Sequence, residues 1–342
     1  MEIGNQIKAL RLRRGISQET VAQHFGITPQ AVSKWERGVT MPDIGLLPEL
    51  SAYFGVSIDE LFALSDDTRM ERIQNMLWDV RYLNSADVEA SRGFLLQKAT
   101  LEPENGRVYE LLAEMENHIA GEHRTRAAEY AKEALARDPR LREAHGELIQ
   151  AMGGHIGDWN ASSHYALIGY YERYLQEHPG CKNAYLSIMD QLIDDDRLEE
   201  AMAYCDQYAT IDETYRVPLY RGIIAWRGGN REKAFDIWKQ MEKDFPEEWC
   251  VYHNIADYLT RSGDYSAAEN YYRKAIDIQK APRYADPFEA LAQLYERTRQ
   301  YDRAVATLQE ELEVFDKEWH FTTGETADAV RREIQRLEQK QN

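Results

Sequence analysis

Residues 17–38 read SQETVAQHFGITPQAVSKWERG, and their local chemistry decides the fold of the first 65 residues. Ser17 is an N-cap for a short helix from Gln18 to Phe25, which Gly26 ends in a tight turn. Thr28 caps the next helix. Pro29 takes its first position, where a missing N–H costs nothing. That helix runs to about Arg37 and stops at Gly38. Working outward, Ile3, Ile7 and Leu10 recur at helical spacing as far as Gly15. On the other side, Asp43 caps a helix carrying Leu46, Leu47, Leu50 and Phe54, and Gly55 ends it. Ser57 and Glu60 have capping-box spacing for a last turn with Ile58, Leu61 and Phe62. The spacing thus predicts five short helices, with helix–tight turn–helix at the centre.

Charge separates this segment from the rest. The chain of 342 residues has 41 Lys and Arg against 59 Asp and Glu, a net charge of -18. Residues 1–42 carry +3 and residues 66–342 carry -17. The acidic body repels nucleic acid, so only the front end has a charge that admits DNA. A hydrophobic content of 43% supports a large core. No apolar run approaches a membrane span, and Met1 to Leu10 hold no signal-type apolar stretch, so a cytoplasmic location is expected. The odd, dispersed cysteines Cys181, Cys205 and Cys250 read as buried thiols in a reducing compartment.

Residues 3–63 resemble the lambda-repressor-like (Xre/Cro-type) helix-turn-helix family. The resemblance rests on Ile7-Lys8-Ala9-Leu10-Arg11, Gly15-Ile16-Ser17-Gln18-Glu19, Val21-Ala22, Phe25-Gly26-Ile27, Val32-Ser33-Lys34-Trp35-Glu36-Arg37-Gly38, Pro42-Asp43 and the run Phe54 to Phe62. It implies that the helix from Thr28 enters the major groove of DNA. Gln30 and Lys34, four apart, share its outer face beside Ser33. Gln pairs bidentately with adenine, and Lys reaches guanine acceptors or a phosphate. Ala31, Val32 and Trp35 face the core. The family implies a phosphate contact at Gln18 and a buried Arg11–Glu36 pair tying the first helix to the third. Arg37 is either a phosphate contact or a solvated charge favouring the helix dipole. Pro29 departs from the family, where many members place a base-touching polar residue. This shifts reading onto Thr28, Gln30, Ser33 and Lys34.

The acidic body is repetitive. Ala127, Ala201, Ala234, Ala268 and Ala304 recur at intervals near 34, with Leu167 in step. Twelve residues earlier stand Met115, Met189, Gly222, Ala256 and Ala292. Four residues later come Ala131, Tyr171, Cys205, Trp238, Tyr272 and Leu308. Two helices cross closely only where small side chains meet, as Ala256 and Ala268 do in the clearest unit, residues 249–282. Gly263 supplies the left-handed residue that ends its first helix. The pattern resembles the tetratricopeptide repeat. The expected architecture is all-α: a five-helix DNA-binding domain (1–65), a superhelix of about six or seven repeats (66–320) and a capping helix (321–342). A polar hinge is expected over 63–69. An insertion carrying Trp159 is expected around Gly153–Asn160, as a packed detour rather than a lid.

The repeat family implies a ligand groove along the first helices of the pairs. Carried onto this chain, its positions are Asn183, Asp190, Arg216, Trp226, Arg227, His253, Asp257, Arg261, Gln293 and Arg297. The bland alternative is a solvated polar face. Nucleotide-loop, zincin and hydrolase motifs are absent, and Asp194-Asp195-Asp196 reads as a capping turn, not a metal site, so no enzyme, cofactor or metal is expected. The whole arrangement resembles the peptide-sensing RRNPPA regulators of Gram-positive bacteria. That implies a cytoplasmic homodimer on two-fold double-stranded DNA, gated by a short peptide in the groove. The alternative is a scaffold whose repeats bind a partner protein that the helix-turn-helix domain brings to DNA.

Overall fold

The computed structural model describes residues 2–62, 65–153 and 164–340. The protein is all-α, a helix-turn-helix-like domain followed by a repeating helical array, with nineteen α-helices among the described residues. Two compact units are present, Met1–Glu122 and His123–Asn342.

The first unit opens with α1 (Glu2–Arg13), α2 (Gln18–His24), α3 (Pro29–Glu36), α4 (Leu47–Phe54) and α5 (Ile58–Phe62). The caps form as the sequence predicts. Ser17 Oγ accepts from the Thr20 N–H at 3.1 Å, and Thr28 Oγ1 from that of Ala31 at 3.2 Å. Ser57 and Glu60 bond reciprocally at 2.7 and 3.2 Å. Asp43 instead caps a 3-10 turn, Ile44–Leu46, and the α-helix begins only at Leu47, with Pro48 in its first turn. Ile3, Ile7, Leu10, Val21, Val32, Trp35, Leu50, Phe54 and Leu61 make one core. Residues Asp66–Asp79 (α6), capped by Ser65 within the expected hinge, follow; Ala63 and Leu64 lie outside the described residues. With Ser85–Leu101 (α7) and the start of Gly106–Arg137 (α8) they bury a second core around Leu95, Val108, Leu111 and Met115.

In the second unit, α9 (Arg142–Ala151) and α10 (Tyr165–Glu177) precede four hairpins. These are α11 (Lys182–Asp194) with α12 (Leu198–Tyr208), α13 (Arg216–Arg227) with α14 (Arg231–Asp244), α15 (Trp249–Ser262) with α16 (Tyr265–Ile278), and α17 (Asp286–Arg297) with α18 (Tyr301–Glu318). Each hairpin turns on one left-handed residue: Asp196, Gly229, Gly263 or Arg299. The following N–H reaches back five residues every time: Arg197 to the Leu192 carbonyl, Asn230 to Ala225, Asp264 to Leu259, Gln300 to Tyr295, at 2.8 to 3.0 Å. This bond satisfies carbonyls that the helix end would orphan. Ala201, Ala234, Ala268 and Ala304 are fully buried at the crossings. Against α18 lies α19 (Glu325–Gln339), burying Ala327, Val330, Ile334 and Leu337.

Upstream of Lys182 the expected register fails. Ala127 and Leu167 are exposed and their neighbours Ala128 and Ile168 are buried instead, although Met115 and Ala131 are buried as expected. Met115 and Ala127, which the period would place on two crossing helices, lie on the single helix α8. Gly121 sits mid-helix without a positive φ, so no residue there turns the chain back. Of the expected insertion, Gly153 is a left-handed turn residue after α9, and residues 154–160, with Trp159, fall outside the described residues. Cys205 is buried, whereas Cys181 and Cys250 are only half-buried.

Within the array, two helices approach closely at Gly222. A Cβ there would lie 2.0 Å from Trp238 Nε1, and Trp238 is itself buried and donates to the Leu219 carbonyl at 3.3 Å. Gly222→Ala is therefore expected to destabilise the array by about 1–3 kcal/mol, the usual cost of overpacking. Chemical denaturation of both proteins checks this; an unchanged midpoint would mean that the crossing yields freely.

Candidate nucleic-acid interface

The α3 helix presents two faces. Val32 and Trp35 are buried against α1 and α2, while Gln30, Lys34 and Arg37 are exposed. Thr28 and Pro29 are exposed at the helix start, and Ser33 is half-buried. Gln30 and Lys34 stand one turn apart on the outer face. Arg37 folds back, its Nε donating to the Ser33 carbonyl at 3.2 Å, where its charge also favours the helix end.

Behind this face lies a buried ionic network. Arg11 donates to both Glu36 oxygens, at 2.6 and 3.0 Å, and to the Ile16 carbonyl at 2.9 Å. Gln18 Nε2 donates to Glu36 Oε2 at 2.8 Å. Burial alone raises the Glu36 pKa. The hydrogen bonds from Arg11 and Gln18 outweigh it and hold the carboxyl below its ordinary range. Sequence reasoning paired Arg11 with Glu36 but assigned Gln18 to phosphate alone. In the structure one Gln18 amide hydrogen is engaged inside the protein, which orients the other. The Gln–Glu contact spans 18 residues and leaves no local pattern.

The second unit gathers some of the groove residues. Tyr258 on α15 feels the charges of Arg261, Asp257, Arg227 and Asp190, and burial is the first cause of its raised pKa. Its ring lies 5.2 Å from that of Trp226 and 4.4 Å from that of Trp238. Asp190, Trp226, Arg227, Asp257 and Arg261 thus share one neighbourhood built from the first helices of three successive hairpins. Two tyrosines set the acids: the Tyr220 hydroxyl donates to Asp190 and that of Tyr272 to Asp257, each at 2.6 Å. Arg227 Nη2 bonds Asp196 at 2.8 Å, tying α13 to the preceding turn. His253 Nε2 is 3.7 Å from Asp257, and its Nδ1 is buried with no partner. Asn183, Arg216, Gln293 and Arg297 stand exposed on α11, α13 and α17. Sequence reasoning passed over Tyr220 and Tyr258, because aromatics at repeat positions read equally well as core.

Residues 7–61 match the helix-turn-helix family, and residues 250–317 match the tetratricopeptide repeat. Both are binding modules rather than catalytic ones. The chain is 35% identical over 63 residues to the HTH-type transcriptional activator BcrR of Enterococcus faecalis, covering 18% of this chain and 31% of BcrR. It is 27% identical over 97 residues to the cryptic phage CTXphi transcriptional repressor RstR of Vibrio cholerae, covering 28% of this chain and 86% of RstR. It is also 30% identical over 63 residues to the uncharacterized HTH-type regulator MJ0272 of Methanocaldococcus jannaschii, covering 18% of this chain and 96% of MJ0272. The chain spans less than a third of BcrR. Among solved structures, a tetratricopeptide repeat protein from Parabacteroides merdae aligns with 79% of this chain and 97% of its own, at 15% identity and a TM-score of 0.42. No described helix is long and apolar enough to cross a membrane. The exposed outer face of α3, and a match spanning nearly all of MJ0272, place the chain in the HTH-type transcriptional regulator family, its helix-turn-helix domain fused to C-terminal tetratricopeptide repeats.

Proposed function

We propose that this protein is a sequence-specific regulator whose repeat array docks a partner protein and whose helix-turn-helix domain brings that partner to DNA. The exposed Gln30 and Lys34 over the buried Val32 and Trp35 carry the DNA half of this reading. In it, Gln30 pairs with adenine and Lys34 with guanine or a phosphate. Thr28 and Ser33 flank them, and Gln18 and Arg37 hold the backbone. Residues 1–65 form the DNA-binding domain, 66–320 the repeats and 321–342 the cap. One domain makes few phosphate contacts, so the protein acts as a cytoplasmic homodimer on half-sites about 34–36 Å apart.

Selection of genomic fragments by the purified full chain at near-physiological salt tests this. A two-fold site is expected. Each base pairing contributes about 1–3 kcal/mol, so Gln30→Ala/Lys34→Ala is expected to weaken binding to that site roughly 30-fold or more. Equal recovery of unspecific fragments by both proteins would refute it.

A second reading has a free short peptide in the groove gating DNA binding. The polar, aromatic-walled neighbourhood of Tyr258 favours it, since a narrow polar site suits a peptide backbone better than a broad apolar surface does. Such a peptide must prefer one arrangement of the repeats over another. Cell extract filtered to peptide size would then change DNA affinity; unfiltered extract alone doing so would leave the partner-protein reading.

A further inference from the structure

Four side chains form one continuous stack across two successive hairpins. The Arg231 guanidinium lies 4.8 Å from the centre of the Trp226 ring, over its face. The Trp226 ring meets the Tyr258 ring edge to face at 5.2 Å. The Arg261 guanidinium lies over the Tyr258 ring in turn, at 5.4 Å. Trp226 stands at the end of α13, Arg231 opens α14, and Tyr258 and Arg261 lie toward the end of α15. Both arginines are exposed, and both rings are half-buried.

The acids around this stack already have donors. Asp190 accepts from Tyr220, Asp257 from Tyr272, and Asp196 from Arg227. The two arginines of the stack have no acid. Among the described residues, no carboxylate forms an ion pair with Arg231 or Arg261, and neither side chain donates a hydrogen bond. Arg231 is the first residue of α14, where the positive end of the helix dipole disfavours a cation, so its place does nothing for its own helix. An aromatic face holds the plane of a guanidinium and leaves its N–H edge outward. That edge matches the two oxygens of a carboxylate.

We propose that Arg231 and Arg261, laid on Trp226 and Tyr258, form a two-pronged seat for carboxylates of an acidic segment that the repeat array binds. The inference rests on the array binding such a segment, and it adds the segment's charge. Residues 66–342 carry -17, so a long phosphate polyanion is repelled along its whole length, whereas two carboxylates need only the local cations. The seat draws on two hairpins and is complete only in one arrangement of them, so docking favours that arrangement.

The test uses the full chain and a randomised hexapeptide library, with Arg231→Ala/Arg261→Ala, Arg231→Lys/Arg261→Lys and Arg261→Glu alongside. Wild type is expected to enrich Asp or Glu at two fixed positions. The alanine pair is expected to lose roughly tenfold or more in affinity for the selected peptide. The lysine pair keeps the charge but not the planar edge, and is expected to lose less. A peptide with both acids replaced by their amides is expected to bind wild type and the alanine pair within about twofold of each other. Arg261→Glu is expected to select Lys or Arg at one of the two positions instead. Thermal melts check that each variant folds, and the lysine pair carries the test if the alanine pair does not. Selected peptides without acids, or an acidic peptide that the alanine pair binds equally, would overturn the seat and leave groove binding standing. No selected peptide at all would overturn both. Single-stranded DNA bound by wild type and lost in the alanine pair would overturn the acidic segment in favour of nucleic acid.

Discussion

Glu36→Ala is expected to unfold the helix-turn-helix domain and abolish DNA binding with it. Glu36 is 5% exposed and takes two of the three hydrogen bonds that Arg11, itself 9% exposed, donates. Removing it strands a buried guanidinium and frees Gln18. Breaking a buried pair from one side costs about 3–5 kcal/mol, which rivals the whole stability of a domain this small. The α1–α3 contact depends on the same spot. Gly4 runs so close to α3 that a Cβ would lie 2.0 Å from the Trp35 carbonyl oxygen, so nothing can shift inward to cover the lost pair. Amide hydrogen exchange on the full chain checks this. Protection is expected to vanish over α1–α3 and persist over α11–α18. Glu36→Gln keeps the shape and should show a smaller loss. Unchanged protection in Glu36→Ala would mean that the network orients Gln18 without supporting the fold.

Glu311→Gln is expected to stabilise the protein, increasingly so as pH rises. Below the pKa of an unfolded glutamate, near 4.3, the carboxyl is protonated in both states and the charge costs nothing. Above that, the unfolded chain gives up its proton while the folded one keeps it up to about 8. Each pH unit in this window lowers stability by about 1.4 kcal/mol. By pH 8 the accumulated penalty is on the order of 4 kcal/mol, which the neutral amide escapes. The melting curves of wild type and variant should nearly coincide at pH 4 and separate by roughly 5–15 °C at pH 8.5. Curves that stay parallel across this range would show that the Glu311 carboxyl titrates normally.

Local chemistry was enough for the five N-terminal helices and the caps at Ser17, Thr28 and Ser57, though not for Asp43, which caps a 3-10 turn ahead of the fourth helix. Ser17, Thr28 and the Ser57–Glu60 box act within three residues, so their hydrogen bonds can be read directly from the chain. The turn at Gly263 was legible for the same reason, whereas Asp194–Asp196 make a turn without capping α12, which opens at Arg197 with no side-chain cap, and Asp195 accepts instead from the distant His164. The small residues at the later crossings were legible too, because Ala201 to Ala304 keep a steady period. The outward face of α3 followed from helical spacing once Val32 and Trp35 were assigned to the core.

Tertiary packing decided the rest. The repeat register slipped at Ala127 and Leu167, where the period depends on turns that α8 never makes. Arg299 and Asp196 adopt left-handed turns that glycine would ordinarily mark; the recurring five-residue hydrogen bond imposes them. Gln18 became part of an ionic network because three helices converge there. Tyr258 became the centre of the groove residues because three hairpins bring Asp190, Arg227 and Asp257 to it. Glu311 sits at an ordinary helical position, and its unpaired burial exists only because α17 and α18 close over it. Apart from the turn bonds, these contacts join residues on different helices, and their energies depend on burial and on missing partners, neither of which any local run of residues encodes.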